Sequence, residues 1–291
     1  MDFIYQLING LQVGSIYALV ALGYTMVYGI AKLINFAHGD IIMVGAYIAL
    51  LAVGSMNLNI WVALLVSVVF CVILGVLIER VAYKPLRNTS RMSALITAIS
   101  MSLFLENLFL LIFSSNKRPF PNSFSGVAFT IGDKPISFNT LLTITISLVL
   151  MFVLWFFVQK TKIGKAMRAV SEDTAAAQLM GININTTISV TFAIGSGLAA
   201  VASVFYSSTY PLVDPYMGVM LGLKAFIAAV LGGIGSIPGA ILGGVIMGIA
   251  ESLTKGYISS TLADAVVFGI LILVLLFKPS GLLGKNVKEK V

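Results

Sequence analysis

The chain has 291 residues, 59% of them hydrophobic and only 10% charged. A soluble domain carries roughly 25% charged residues, so these charges are too few to build a water-facing surface and an integral membrane protein is expected. The net charge of +7 is spread over the connections between apolar runs. That distribution is a topology signal and argues against a nucleic-acid partner.

Runs of about 20 apolar residues, enough for a hydrocarbon core of roughly 30 Å, recur at 4–31, 41–55, 60–78, 92–113, 140–158, 188–208, 218–231, 239–253 and 262–278. Strand alternation is absent, so an all-α polytopic fold is expected and a transmembrane barrel is not. The runs at 41–55, 218–231 and 239–253 are short and interrupted by glycine. The expectation is therefore about eight to ten membrane segments, one of them glycine-broken or re-entrant, in a single domain spanning 1–291. The first run opens Met1-Asp2 with no basic region, is too long for a signal peptide and shows no small-residue cleavage site. It reads as a span. Tyr17, Tyr24 and Tyr28 share one face of it with Gly14 and Ala21, a face suited to close helix packing or to lining a pathway.

Next comes Asn35-Phe36-Ala37-His38-Gly39-Asp40, which interrupts apolar sequence. One reading is a turn in which Gly39 supplies the bend and Asp40 caps the following helix. The other is non-helical backbone at membrane depth, tolerated only inside protein or along water, with Asn35 and His38 as polar liners. Cys71 is the one cysteine, so no intrachain disulfide forms. With a single histidine as well, neither a metal site nor a cofactor is expected. Glu106, beside Asn107 inside the fourth run, must face the bundle, a cavity or a partner, because a lipid-facing carboxylate is costly. Val127–Ser137 has turn chemistry in the longest connection and is a candidate surface for a delivery protein.

If the N-terminus lies outside and all nine runs cross, 13 of the 18 Lys and Arg residues fall inside. These are Lys32, Arg80, Lys84, Arg87, Arg91, Lys160, Lys162, Lys165, Arg168, Lys278, Lys285, Lys288 and Lys290. Lys117, Arg118, Lys134 and Lys255 fall outside, and Lys224 lies within a run. The positive-inside rule favours N-out, C-in. Residues 160–187 then form a cytoplasmic loop holding the stretch AVSEDTAAAQLMGIN. Ser171 is a good N-cap, and Glu172 and Asp173 suit the positive end of the helix dipole. Ala175, Ala176 and Ala177 are strong helix formers, and Gly181 can end the helix in the left-handed conformation. A helix over about 172–180, roughly 14 Å long, is too short to span; it is either a connector or a smooth docking surface. Farther on, Gly232-Gly233-Ile234-Gly235-Ser236-Ile237-Pro238-Gly239 is either a tight turn or a broken helix whose freed N–H groups face a zwitterionic solute. Glu251 and Asp264, flanking the last outer turn, read as interfacial.

The stretches GYTMVYGIAKLINFAHGDIIMVGAY and AVLGGIGSIPGAILGGVIMGIAESL, with the alanine-rich one above, closely resemble the H-type permease subunit of high-affinity branched-chain amino-acid ABC importers. The likeness runs from Gln12 to the tail, and urea and short-amide importers use permeases of the same family. The resemblance implies a non-enzymatic permease in a bacterial cytoplasmic (inner) membrane, sharing its pathway with a second permease. Two cytoplasmic ATP-binding subunits and an extracytoplasmic solute-binding protein would complete the system. The sequence has no G-x-x-x-x-G-K-[ST] loop of its own. The family's coupling helix carries an EAA-x-x-x-G pattern; Ala175-Ala176-Ala177 and Gly181 keep its spacing, but alanine replaces the glutamate and the downstream Leu-Pro is absent. Ser171, Glu172 and Asp173 complete the expected ATPase contact. Candidate pathway residues are Tyr24, Asn35, His38, Gly39, Glu106, Gly232, Gly233 and Gly235. The rival reading is an ion-coupled secondary transporter, for which Glu106 is the one good midplane carboxylate. No catalytic constellation supports a membrane enzyme.

Overall fold

Each apolar run folds into a helix. The computed structural model describes residues 2–284 except 88, 122, 123, 125 and 133; Lys285, Lys288 and Lys290 lie outside the described residues. In chain order the helices are α1 (Asp2–Ala31), α2 (His38–Gly54), α3 (Ile60–Ile78), α4 (Arg91–Phe113), α5 (Phe138–Lys160), α6 (Lys162–Glu172), α7 (Thr174–Leu179), α8 (Ile184–Thr209), α9 (Met217–Gly232), α10 (Ile237–Tyr257) and α11 (Ala263–Phe277). A short π-helical then 3-10 segment, Glu79 to Leu86, extends α3. The strands are minor: β1 (Arg118–Pro119) pairs antiparallel with β4 (Leu212–Val213), and β2 (Val127–Ile131) with β3 (Lys134–Ser137). The chain is an all-α, multi-pass membrane protein, and among the described residues six helices are long and apolar enough to cross a bilayer.

Burial sorts the helices into two shells. The inner one is α1, packed against α10, α8, α9 and α5, with α2 between α3, α8 and α9. Helices lose no apolar area to water by associating in lipid, so close backbone approach must hold them together. Small residues permit it here: Gly10 faces Ile249 and Gly14 faces Val245 across α1 and α10. The outer shell turns rows of large apolar side chains outward, such as Leu65, Val69 and Ile73 on α3, Phe152 and Phe156 on α5, and Leu273 and Leu276 on α11. That is the surface lipid would cover.

The connections separate onto two ends of the bundle. At one end the tail is strapped to the α9–α10 turn, where the Leu282 and Leu283 N–H groups donate to the Leu231 and Gly232 carbonyls at 2.8 Å. The same end holds Lys32, Gln159, Arg168, Glu172, Gly235 and Pro238 around a cavity of about 770 Å³. At the opposite end Asp2 forms an ion pair with Lys134, and β1 meets β4. Hydrogen bonding to Asp2 raises the Lys134 pKa above its ordinary value. Lys32, residues 159–172, the α9–α10 turn and the tail therefore share one end, and the start of α1, the β2–β3 hairpin and the β1–β4 pair the other.

Two helices do not run the full depth. α2 has 17 residues and α9 has 16, about 25 Å each at 1.5 Å per residue, against a core of roughly 30 Å. His38, the first residue of α2, lies against Gly23 and Gly195. Gly23 is about 12 Å short of the end of α1, and Gly195 is about 16 Å from the start of α8. α2 therefore begins in the interior of the bundle, and the non-helical residues 32–35 carry the chain back to it. Gly218 in the first turn of α9 packs on Gly39, so α9 begins at the same depth.

Candidate functional site

Within the Asn35–Asp40 stretch the backbone is non-helical at 35–37 and opens α2 from His38, and protein buries all of it but Phe36, which is half-buried. Asn35 and His38 are 2% and 1% exposed. The Tyr83 hydroxyl donates to Asn35 Oδ1 at 2.8 Å, and the His38 ring lies near the Val20 carbonyl. Tyr24 packs edge-on to His38 with centroids 4.7 Å apart, and its hydroxyl lies near the Gly39 backbone. Asp40 is not the cap. The N-cap is Ala37, which makes no side-chain cap bond, and Asp40 stands inside the first turn of α2. Gly39 is required by contact rather than by a bend: a Cβ there would sit 2.5 Å from the Gly218 carbonyl oxygen. Two helix N-termini can meet only because both residues lack one.

The sequence-predicted pathway residues separate into two places. Tyr24, Asn35, His38 and Gly39 cluster at the start of α2. Glu106 on α4 is half-buried and lies near enough to Asp40 to act on it electrostatically. Gly232, Gly233 and Gly235 stand apart from them, at the end of the bundle. They form the tight turn between α9 and α10, with φ of +105° at Gly233 and +93° at Gly235, and the hydroxyl of Ser236 caps Gly239. The interruptions at depth are thus the starts of α2 and α9, and the glycine run is their neighbour at the membrane edge.

A buried charge cluster was not foreseen. Lys224, on α9, donates to Glu251 Oε1 at 3.0 Å and pairs with Asp264 at 2.6 Å. Lys255 approaches the same Glu251 oxygen at 2.6 Å, and the Tyr17 hydroxyl donates to Oε2 at 2.6 Å. Glu251 is 2% exposed, and its cluster joins α1, α9, α10 and α11. The available signal was Lys224 itself, since a cation inside an apolar run must find a partner. A second cluster joins Glu79, fully buried, to Arg87 and to the Ser189 hydroxyl, which donates at 2.6 Å. It fastens the extension of α3 to the start of α8.

The loop at 161–183 holds two helices where one was expected. α6 continues through Ser171 to Glu172 because it is amphipathic: Gly164, Met167 and Val170 are buried while Lys162, Lys165 and Arg168 point away. Ser171 is therefore not a cap, and its hydroxyl bonds back to the Arg168 carbonyl at 2.7 Å. Asp173 breaks the chain and caps α7, accepting from the Ala175 and Ala176 N–H groups at 2.8 and 2.9 Å. The helix ends at Leu179, and Gly181 takes a left-handed φ of +81°. Ala177 is buried, Ala175 and Ala176 are exposed, and beyond them Leu179 and Met180 are 88% and 82% exposed. Two large apolar side chains are thus bare at one tip, on a segment that does not span, a feature that alanine content alone did not reveal.

The family model for the permease component of the branched-chain amino acid transport system matches residues 6–276. The chain belongs to that family. It is 45% identical to the high-affinity branched-chain amino acid transport system permease protein BraD of Pseudomonas aeruginosa, over 99% of this chain and 98% of that protein. It is 44% identical, with the same coverage, to the permease protein LivH of Escherichia coli K12. Among solved structures, PsaBC from Streptococcus pneumoniae in complex with Fab aligns with a TM-score of 0.50 at 15% identity, covering 94% of this chain and 91% of that one. That likeness concerns the fold alone. The family members named here are transport permeases and not enzymes, and the resemblance read from the Asn35–Asp40 run and the glycine-rich C-terminal half is to this family.

Proposed function

We propose that this protein imports branched-chain aliphatic amino acids as one permease of an ABC system. It shares a pathway with a second permease, carries no ATP site of its own, and is driven by two cytoplasmic ATP-binding subunits. The N-terminus faces outward and the C-terminus faces the cytoplasm of a bacterial inner membrane. An external binding protein delivers solute to the end that carries the β2–β3 hairpin. The single observation behind this reading is α7: a capped, water-exposed helix with an apolar tip on the end of the bundle richest in lysine and arginine.

The fold supplies a route for the force. α7 is joined to α6 by Asp173 alone and to α8 through the Gly181 turn. α8 then runs from this loop to Gly195, beside His38 at the start of α2. ATP-driven movement of α7 would tilt α8 against the place where α2 and α9 meet, opening the pathway to alternate sides. The contacting residues are Ala175, Ala176, Leu179 and Met180; Glu172 and Asp173 stand beside them, with Asp173 holding the helix in shape. Leu179→Asp combined with Met180→Asp is expected to leave the permease pair intact in the membrane, release the ATP-binding subunits on purification and abolish uptake. Retention of a stoichiometric complex with normal uptake would make α7 a connector.

A further inference from the structure

A second cavity lies deeper than the docking surface, between α2, α4 and α9. It measures about 210 Å³ and is lined by Tyr24, Phe36, Gly39, Asp40, Ser102 and Phe226, with aliphatic side chains from α4 and α9 at its mouth. Asp40 is only 1% exposed, yet its Oδ2 has no hydrogen-bond partner among the described residues. The Ser102 hydroxyl faces the same carboxyl. None of the lining residues is a lysine or arginine, and Lys224, on the same helix as Phe226, is held by Glu251 and Asp264. Glu106 adds negative charge nearby. A carboxylate at this depth without a counter-ion is strongly unfavourable, so the lining favours a cationic ligand.

We propose that this cavity is the subsite for the primary ammonium group of the transported amino acid, with Asp40 as its counter-ion and Ser102 as a further acceptor. The inference rests on the amino-acid importer reading above. Tyr24, Phe36 and Phe226 bring aromatic rings to the lining, beside which a cation is favoured, and Ile99, Leu103, Val219 and Leu223 offer aliphatic walls to a branched side chain. The volume falls below the roughly 300–1,000 Å³ of drug-sized pockets and suits one small solute. α2 and α9 both begin here, so the positive ends of their dipoles face the space that the solute's carboxylate would enter. Leu103 and Leu223 are 53% and 41% exposed, so the mouth opens on the outer surface of the chain, where a second permease would complete a pathway.

The test uses the complete importer in proteoliposomes with labelled leucine. Uptake by the wild type is the test of the importer reading itself. Given that uptake, Asp40→Asn is expected to lower it by roughly 10- to 100-fold, the range for losing a hydrogen bond to a charged group, and Asp40→Glu to restore most of it. Uptake by Asp40→Asn within threefold of wild type overturns the subsite and leaves the importer standing. A second measurement covers failure of that variant to assemble. Cys71, the chain's one cysteine, is buried, so Leu223→Cys places a reactive thiol at the mouth. Its alkylation by a small neutral maleimide, read on this chain by mass spectrometry, is expected to slow at least threefold with leucine but not with 4-methylpentanoate, which lacks the ammonium. Equal protection by both compounds, protection by sodium ion in place of leucine, or no protection by leucine rejects the ammonium site.

Discussion

Glu251 shows how a charge can be kept inside an apolar bundle. One carboxylate oxygen receives Lys224 and Lys255, the other receives the Tyr17 hydroxyl, and Lys224 continues to Asp264. Two cations and two anions are gathered with no net charge, and each buried oxygen has a donor. Removing one member of such a cluster strands the rest, at about 3–5 kcal/mol for a buried pair. Asp264, 44% exposed at its side chain, is screened, and its pair contributes about 0–1 kcal/mol. Glu251→Leu is therefore expected to lower the thermal midpoint of the detergent-purified protein markedly, and Asp264→Asn to shift it little. Equal shifts would show the cluster to be peripheral. Lys224 could be picked out in the sequence as a cation in an apolar run. Its partners could not, because they sit on helices 27 residues and more away and no local periodicity points to them. Asp40, which the sequence offers as the cap of α2, stands instead inside its first turn, and its unpaired oxygen depends on what α4 and α9 place around it.

At the scale of the element, helix ends were readable where their chemistry is local. Gly181 was expected in the left-handed conformation and adopts it, since that preference belongs to the residue itself. The start of the same helix was misplaced because Ser171 and Asp173 are both good caps, and tertiary burial decided between them. Met167 and Val170 draw α6 onto α5 and α8 and carry it past Ser171; the next capable side chain, Asp173, takes the cap. Asp173→Ala is expected to destabilise α7 by about 1 kcal/mol and to weaken coupling of ATP hydrolysis to uptake. Ser171→Ala, which loses one bond to a carbonyl at the end of α6, is expected to leave coupling near wild type. Gly181→Val adds a left-handed penalty of roughly 1–2 kcal/mol and should be the most damaging of the three. A coupling ratio that follows Ser171 instead of Asp173 would return the helix start to the sequence-based position.

Across the whole molecule, hydropathy revealed the nine runs and their order, because a bilayer demands apolar length whatever the packing. It could not show that α2 and α9 begin in the interior. Their shortness is visible in sequence, but the depth of a helix start is set by its neighbours: Gly23 and Gly195 for α2, Gly39 for α9. The two ends also follow from the fold, while which end meets the cytoplasm rests on the basic residues. A thiol at Asn183→Cys is expected to react with an impermeant maleimide only after the membrane is opened, and one at Asn116→Cys in intact spheroplasts; the reverse pattern would place α7 outside. The most direct test of the account is leucine uptake into proteoliposomes. With the second permease, the ATP-binding subunits and a loaded binding protein present, accumulation should require ATP hydrolysis and proceed without any ion gradient. Leucine accumulation by this chain alone, driven by a proton or sodium gradient, would contradict it.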